Sequence, residues 1–178
     1  MRKIFLLLFI VVAANVSAQN KDYLLSLEGL GSIKLGMPLV DLQKLLQTKI
    51  TLKVIDVDPV MLVETIKAKY KDIDVDIDLI KRQDYIAVDR ISTNNPLCKT
   101  KSGIGIGSTK LQIIAAYDGY YIDATPVYDN GDDNKPQKSK TKSTVTVKEN
   151  TEGYAIMFTL LNHKVVSFDI YPIFDDAE

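Results

Sequence analysis

Residues 73–79 read IDVDIDL, apolar and acidic side chains alternating without a break. Successive side chains of an extended chain point to opposite sides, so this spacing builds a strand with one apolar and one wet face. A helix would scatter the same residues around its circumference and bury none of them together. The stretch therefore commits the chain to a half-buried sheet.

The same period recurs at Ile66, Ala68 and Tyr70, at Ile86, Val88 and Ile91, and at Val145 and Val147. It returns at Tyr154, Ile156, Phe158 and Leu160, then at Val166, Phe168 and Ile170. Leu161-Asn162-His163-Lys164 reads as the turn between the last two strands, and Lys81-Arg82-Gln83-Asp84 as its earlier counterpart. One segment has two readings. Asp58 as cap and Pro59 in the first turn open a helix with Leu62, Val63, Ile66 and Tyr70 on one face. The alternation of Ile66, Ala68 and Tyr70 with Lys67 and Lys69 favours a strand through Thr65–Tyr70 instead.

Two joints punctuate these strands. Residues 31–46 read GSIKLGMPLVDLQKLL and residues 102–117 read SGIGIGSTKLQIIAAY. Ile33 matches Ile104, Leu35 matches Ile106, Gly36 matches Gly107, and Met37-Pro38 falls on Ser108-Thr109. Both then turn helical. Pro38 suits a first turn, with Leu39, Leu42, Leu45 and Leu46 at helical spacing. Ser108 is the expected N-cap of the second helix, Leu111, Ile114 and Ala115 its apolar stripe, and Asp118-Gly119 its stop. Each joint leads into an antiparallel meander, so the predicted fold is α+β, two similar helix-plus-meander units from an internal repeat. The first spans residues 19–100 and the second 101–178. Residues 129–143 hold no large apolar side chain and are expected to be a polar loop of the second unit.

The glycines of SGIGIGSTK do not make a nucleotide site. A phosphate loop places lysine before the hydroxyl residue, whereas Lys110 follows Thr109. The dinucleotide fingerprint spaces its glycines differently and lies in a βαβ unit, which is missing here. A strand ending in a tight turn and a capped helix explains the stretch.

The chain opens MRKIFLLLFIVVAANVSAQN. Arg2 and Lys3 precede an uncharged apolar run from Ile4 to Ala14, and Val16-Ser17-Ala18 resembles a leader-peptidase site. Residues 1–18 read as a signal peptide, leaving a mature chain from Gln19 with no cysteine nearby for a lipid. The expected product is exported, periplasmic or extracellular, with no transmembrane segment after signal removal. The leader takes two of the 22 basic residues and none of the 23 acidic ones, so the mature chain carries 20 against 23, a net charge of −3. That balance argues against nucleic acid and against docking on an acidic membrane. Cys98 is the only cysteine, which excludes a disulfide framework within the chain and reads as a small buried hydrophobe.

Few residues suggest chemistry. His163, the only histidine, sits in a predicted turn and has no companions for a metal site. Asp72, Asp74, Asp76 and Asp78 line one strand face, available to a cation or to cross-strand pairing with Lys67, Lys69, Lys81 or Arg90. Asp129-Asn130-Gly131-Asp132-Asp133-Asn134 lacks the order of a calcium loop. Tyr117, Tyr120, Tyr121 and Tyr128 cluster, and adjacent Tyr120 and Tyr121 cannot both enter a core. Tyrosines make good partner contacts. Tyr120, Tyr121 and Tyr128 are the candidate partner-binding residues, together with Lys138 and Lys140 of the lysine run that also holds Lys135 and Lys142.

The two I-x-[LI]-G-[MS]-[PT] joints, each opening a helix and followed by antiparallel strands over residues 30–174, resemble the BamE-like and β-lactamase-inhibitor-protein-like group of small exported proteins. The resemblance implies tandem helix-plus-sheet modules that bind other proteins through a concave sheet face and its loops, without catalysis. The expected function is a non-enzymatic exported protein with no cofactor and no metal. Its partner would be a protein or peptide, and an inhibitor of a secreted enzyme is one version. A small hydrolase using a carboxylate pair and a structural envelope component are the alternatives.

Overall fold

A computed structural model describes residues 20–52, 63–82, 85–130, 135–150 and 153–173 of the chain. The expected leader at 1–18, Asp58-Pro59, Gln83-Asp84 and residues 131–134 lie outside those residues. In order, the chain forms β1 (Leu24–Ser26), β2 (Gly29–Leu30), β3 (Ile33–Lys34), α1 (Leu39–Leu46), β4 (Val63–Tyr70), β5 (Ile73–Arg82) and β6 (Tyr85–Thr93). There follow β7 (Lys99–Thr100), α2 (Lys110–Ala116), β8 (Tyr121–Asn130), β9 (Pro136–Lys148), β10 (Gly153–Leu161) and β11 (Lys164–Ile173). The fold is mixed α+β and mostly antiparallel.

Seven strands make one sheet in the order β4-β5-β6-β11-β10-β9-β8. The alternation in the sequence decides which face is buried. Ile73, Val75, Ile77 and Leu79 of β5 point inward with Val145 and Val147 of β9, Ile156, Phe158 and Leu160 of β10, and Phe168 and Ile170 of β11. Leu42 of α1, Ile113 of α2, and Leu25, Leu30 and Ile33 of a small sheet ordered β3-β2-β1-β7 close over them. The segment with two readings is a strand: β4 pairs along its whole length with β5.

Each helix is tied to the large sheet in the same way. The N–H of Gly36 donates to the carbonyl of Val88 at 2.7 Å, and the N–H of Val88 returns a bond to Met37 at 2.9 Å. The N–H of Gly107 donates to Val165 at 2.9 Å, and Val165 returns one to Ser108 at 2.9 Å. Both glycines stand at positive φ, 75° and 85°, which a glycine adopts at little cost. The register also shifts once in each following hairpin, beside Asp78/Leu79 and beside Thr159/Leu160.

Five local expectations are corrected. Thr109 caps α2, accepting from the N–H of Gln112 while Gln112 Oε1 accepts from the N–H of Thr109 at 2.7 Å. Ser108 is diverted, its hydroxyl accepting from the N–H of Gly105 at 3.0 Å. With that frame the helix buries Ile113 and half-buries Ala116, so Leu111 stands 77 % exposed and Ile114 and Ala115 also face out. The helix closes at Tyr117 with φ −125°, and Gly119 is not left-handed. In β11 the buried residue is Val165, not Val166, because the shift beside Thr159/Leu160 changes the alternation there. The polar loop expected at 129–143 is mostly strand: Tyr128, Asp129 and Asn130 pair with Lys138, Gln137 and Pro136. Its lack of apolar residues reflects the lack of a buried face, since backbone pairing needs none.

The chain near Asn20 is clamped onto the β4–β5 turn. Tyr23 donates its phenol proton to Asp72, and Lys71 lies 3.8 Å from Asp22. The hydroxyl of buried Tyr70 accepts from the N–H of Ser32 at 3.0 Å. Gly31, at φ 54°, passes so close that a Cβ would lie 2.3 Å from the carbonyl oxygen of Asp22 and 2.6 Å from the Tyr70 hydroxyl.

Gly31→Ala is expected to cost about 3 kcal/mol, about 1 from the left-handed backbone and about 2 from the clash. Gly36→Ala, with open space around its Cβ, should cost only about 1 kcal/mol. Urea denaturation checks this as two shifted midpoints with unchanged slope. The Asp72 hydrogen bond and then burial push the Tyr23 phenol from 10.0 up to about 12. The raised value stabilises the fold below pH 10.0, and that contribution disappears as pH climbs to about 12. Melting temperature against pH should therefore fall less steeply over that window in Tyr23→Phe than in the parent.

Candidate functional site

On the outer face of the large sheet β4 and β5 present Thr65, Lys67, Lys69, Asp74, Asp76 and Asp78. Thr65, Lys67 and Lys69 of β4 lie beside Asp78, Asp76 and Asp74 of β5 in register. Lys69 Nζ sits 2.8 Å from Asp74. Asp78 accepts from Thr65 Oγ1 at 2.6 Å and lies 3.8 Å from Arg90 Nε. The aspartate row is thus a set of cross-strand partners, and such exposed pairs contribute little to stability. Asp72 leaves the row altogether, because it sits in the β4–β5 turn and accepts from Tyr23. Among the described residues no three His, Cys, Asp or Glu side chains converge as metal ligands.

At the centre of this face Ser92 Oγ donates to Asp169 at 2.6 Å, and the Arg90 guanidinium lies 5.5 Å from the ring centre of Tyr171. The sequence offered no signal for these contacts. They depend on β6 pairing with β11, which joins Ser92 to Asp169, 77 positions apart in the chain.

The five candidate residues do not form one patch. Tyr121 is 60 % exposed at the start of β8, opposite Lys148. Tyr128 is 59 % exposed and pairs across the ribbon with Lys138. The two tyrosines are seven residues apart, about 23 Å along an extended strand. Lys138 and Lys140 are exposed on β9, whereas Lys142 reaches Asp129 at 3.4 Å. Between Pro126↔Ser143 and Tyr128↔Lys138 the register shifts, setting Ser139–Lys142 of β9 against Val127 alone. A bulge of that size re-aims side chains. Tyr120 belongs elsewhere: it is 40 % exposed and meets buried Tyr117 edge-on, ring centres 5.3 Å apart, on the helix side. Burial raises the Tyr117 phenol pKa, and the ring is core.

The remaining candidates sit where bland chemistry puts them. His163 is exposed in the β10–β11 turn at φ 66°. The seven-residue α2 begins in its own capping box, not in a phosphate cradle. Cys98 is wholly buried. Set against family models, curated proteins and solved structures, the chain matches none.

Burial pushes the Cys98 thiol from 9.0 up to about 11, against a smaller opposing effect of a hydrogen bond with Thr93. The folded protein should resist a disulfide reagent in mildly alkaline buffer, and react once unfolded in urea. Fast reaction of the folded protein would contradict the buried placement.

Proposed function

We propose that this chain is an exported, non-enzymatic binding protein that recognises a protein or peptide through the outer sheet face and the β8–β9 ribbon. The observation that carries the reading is the wide outer face of a seven-stranded sheet, which no described helix covers, with Tyr121 and Tyr128, both more than half exposed, on its edge strand β8. Rigid aromatic side chains standing out of a sheet give contact area at low entropy cost. The carboxylates on that face are engaged with neighbouring bases and hydroxyls, an arrangement suited to recognition more than to proton transfer.

In this reading residues 1–18 are a leader cut after Ala18, and the rest is two copies of one helix-plus-meander unit. The matched ties of Gly36 to Val88 and Gly107 to Val165 support the repeat. So does the seam, where Ile91 pairs with Ile170 and Thr93 with Phe168 around a central Ser92–Asp169 pair, as a local twofold axis requires. The tandem-module group named above supplies the analogy for the mode of binding.

The test is capture from an envelope extract on purified protein, beside a triple variant Tyr121→Ala, Tyr128→Ala and Lys138→Ala. All three side chains are exposed, so the variant should keep the parent circular dichroism. The expected result is a partner held by the parent and bound about tenfold more weakly by the variant. A partner held equally by both would displace the site, and no partner at all would remove the binding reading.

A further inference from the structure

A second concave feature lies away from the outer face, on the helix side. It is a cleft of about 390 Å³ between the β1–β2 turn, the end of α2 and β10. That size suits a small molecule. Buried Leu25, Tyr117 and Ile156 form its base. Exposed Lys101, Glu149 and Tyr120 stand at its rim. Glu28 at the same rim is engaged by Lys34 at 3.7 Å. Lys101 and Glu149 make no salt bridge or side-chain hydrogen bond among the described residues. The cleft therefore offers an apolar base, an aromatic wall and one available charge of each sign.

The cleft has an origin in the two helices. Leu42 lies six residues after Gly36 and Ile113 six after Gly107, and both are fully buried. Nine residues after the same glycines stand Leu45 and Ala116. Leu45 and Ala116 are both half-buried against the core, and Ala116 also lines the cleft. Alanine carries three heavy atoms fewer than leucine, which leaves this wall of the cleft open.

The geometry points to a binding site for a small zwitterion with an apolar body, of the amino-acid class. Its carboxylate meets Lys101, its ammonium meets Glu149 beside the ring of Tyr120, and its side chain rests on Tyr117, Leu25 and Ile156. A plain cation or a plain anion satisfies one charge and leaves the other idle. The site is independent of the protein-binding reading, since Tyr121, Tyr128 and Lys138 are no part of it.

Three probes with one apolar body and different charges test it by equilibrium dialysis: phenylalanine, phenethylamine and 3-phenylpropionate. Phenylalanine is expected to bind saturably with a Kd of about 1 mM or tighter, and each single-charge probe about tenfold more weakly. Lys101→Met should weaken phenylalanine and phenylpropionate and spare phenethylamine, and Glu149→Gln should weaken phenylalanine and phenethylamine and spare phenylpropionate. Ala116→Leu should abolish all three while melting no lower than the parent. A single-charge probe binding as tightly as phenylalanine overturns the proposal, as does full binding by a folded Ala116→Leu. So does the lack of saturable phenylalanine binding up to about 10 mM. Should Ala116→Leu fail to fold, the two charge variants decide alone, because both positions are exposed.

Discussion

Three rungs hold the molecule together as one sheet. Ile91↔Ile170, Ser92↔Asp169 and Thr93↔Phe168 are the register pairs between β6 and β11, and no other strand pair joins the early strands to the late ones in the large sheet. So short a seam cannot rest on backbone hydrogen bonds alone. Ile91, Phe168 and Ile170 are buried on its inner side, and Phe168 meets Phe158 edge-on with ring centres 5.8 Å apart. Side-chain packing on one face keeps the rungs in register, because a slip by one residue would turn those rings to solvent. The hydrogen bond between Ser92 and Asp169 sits on the opposite, wet side of the same rungs.

From that seam follow both surfaces of the protein. The inner face receives α1, α2 and the small sheet, and its core is continuous from β5 to β9. The outer face of β4, β5 and β6 is dominated by Ser, Thr, Asp, Lys and Arg side chains that stay wet. An antiparallel sheet tolerates this asymmetry because hairpins keep the chain on its own edges and need no crossing helix on the second face. Edge protection is visible as well. β4 carries Lys67 and Lys69, and β8 carries Pro126, which cannot donate to an added strand.

Small departures between two alike helix joints create the differences in shape. One joint enters its helix through Pro38 and ends it at left-handed Gln47; the other uses the Thr109–Gln112 box and ends at Tyr117. Nine residues after each joint glycine stand Leu45 and Ala116, both packed on the core, and the smaller Ala116 also lines the cleft. β8 and β9 form the bulged ribbon that displays Tyr128 and Lys138.

The alternation at 66–79 and 156–160 announced the strands and their buried faces, although Tyr154, one step earlier, stands exposed, and the matched Gly36 and Gly107 joints announced where the helices begin. Period two and a glycine turn are local properties, set by side-chain direction and backbone sterics within a few residues. The cap of α2 was missed by one position because Ser108 and Thr109 are both competent, and the choice between them depends on Gly105 claiming the serine. The ribbon at 129–143 was missed because polarity reports the absence of a core, while strand pairing is a backbone matter. Adjacent Tyr120 and Tyr121 were read as one surface, yet one packs on Tyr117 and the other faces out on β8. What the sequence determined alone was the α+β class, the half-buried strands and the helix-opening turns. Which strands meet across the seam, that Arg90 reaches Tyr171, and that Ala116 leaves space above Ile156 were decided only by tertiary structure. Those contacts join distant residues, and no local preference encodes the partner of a side chain that the chain must fold to meet.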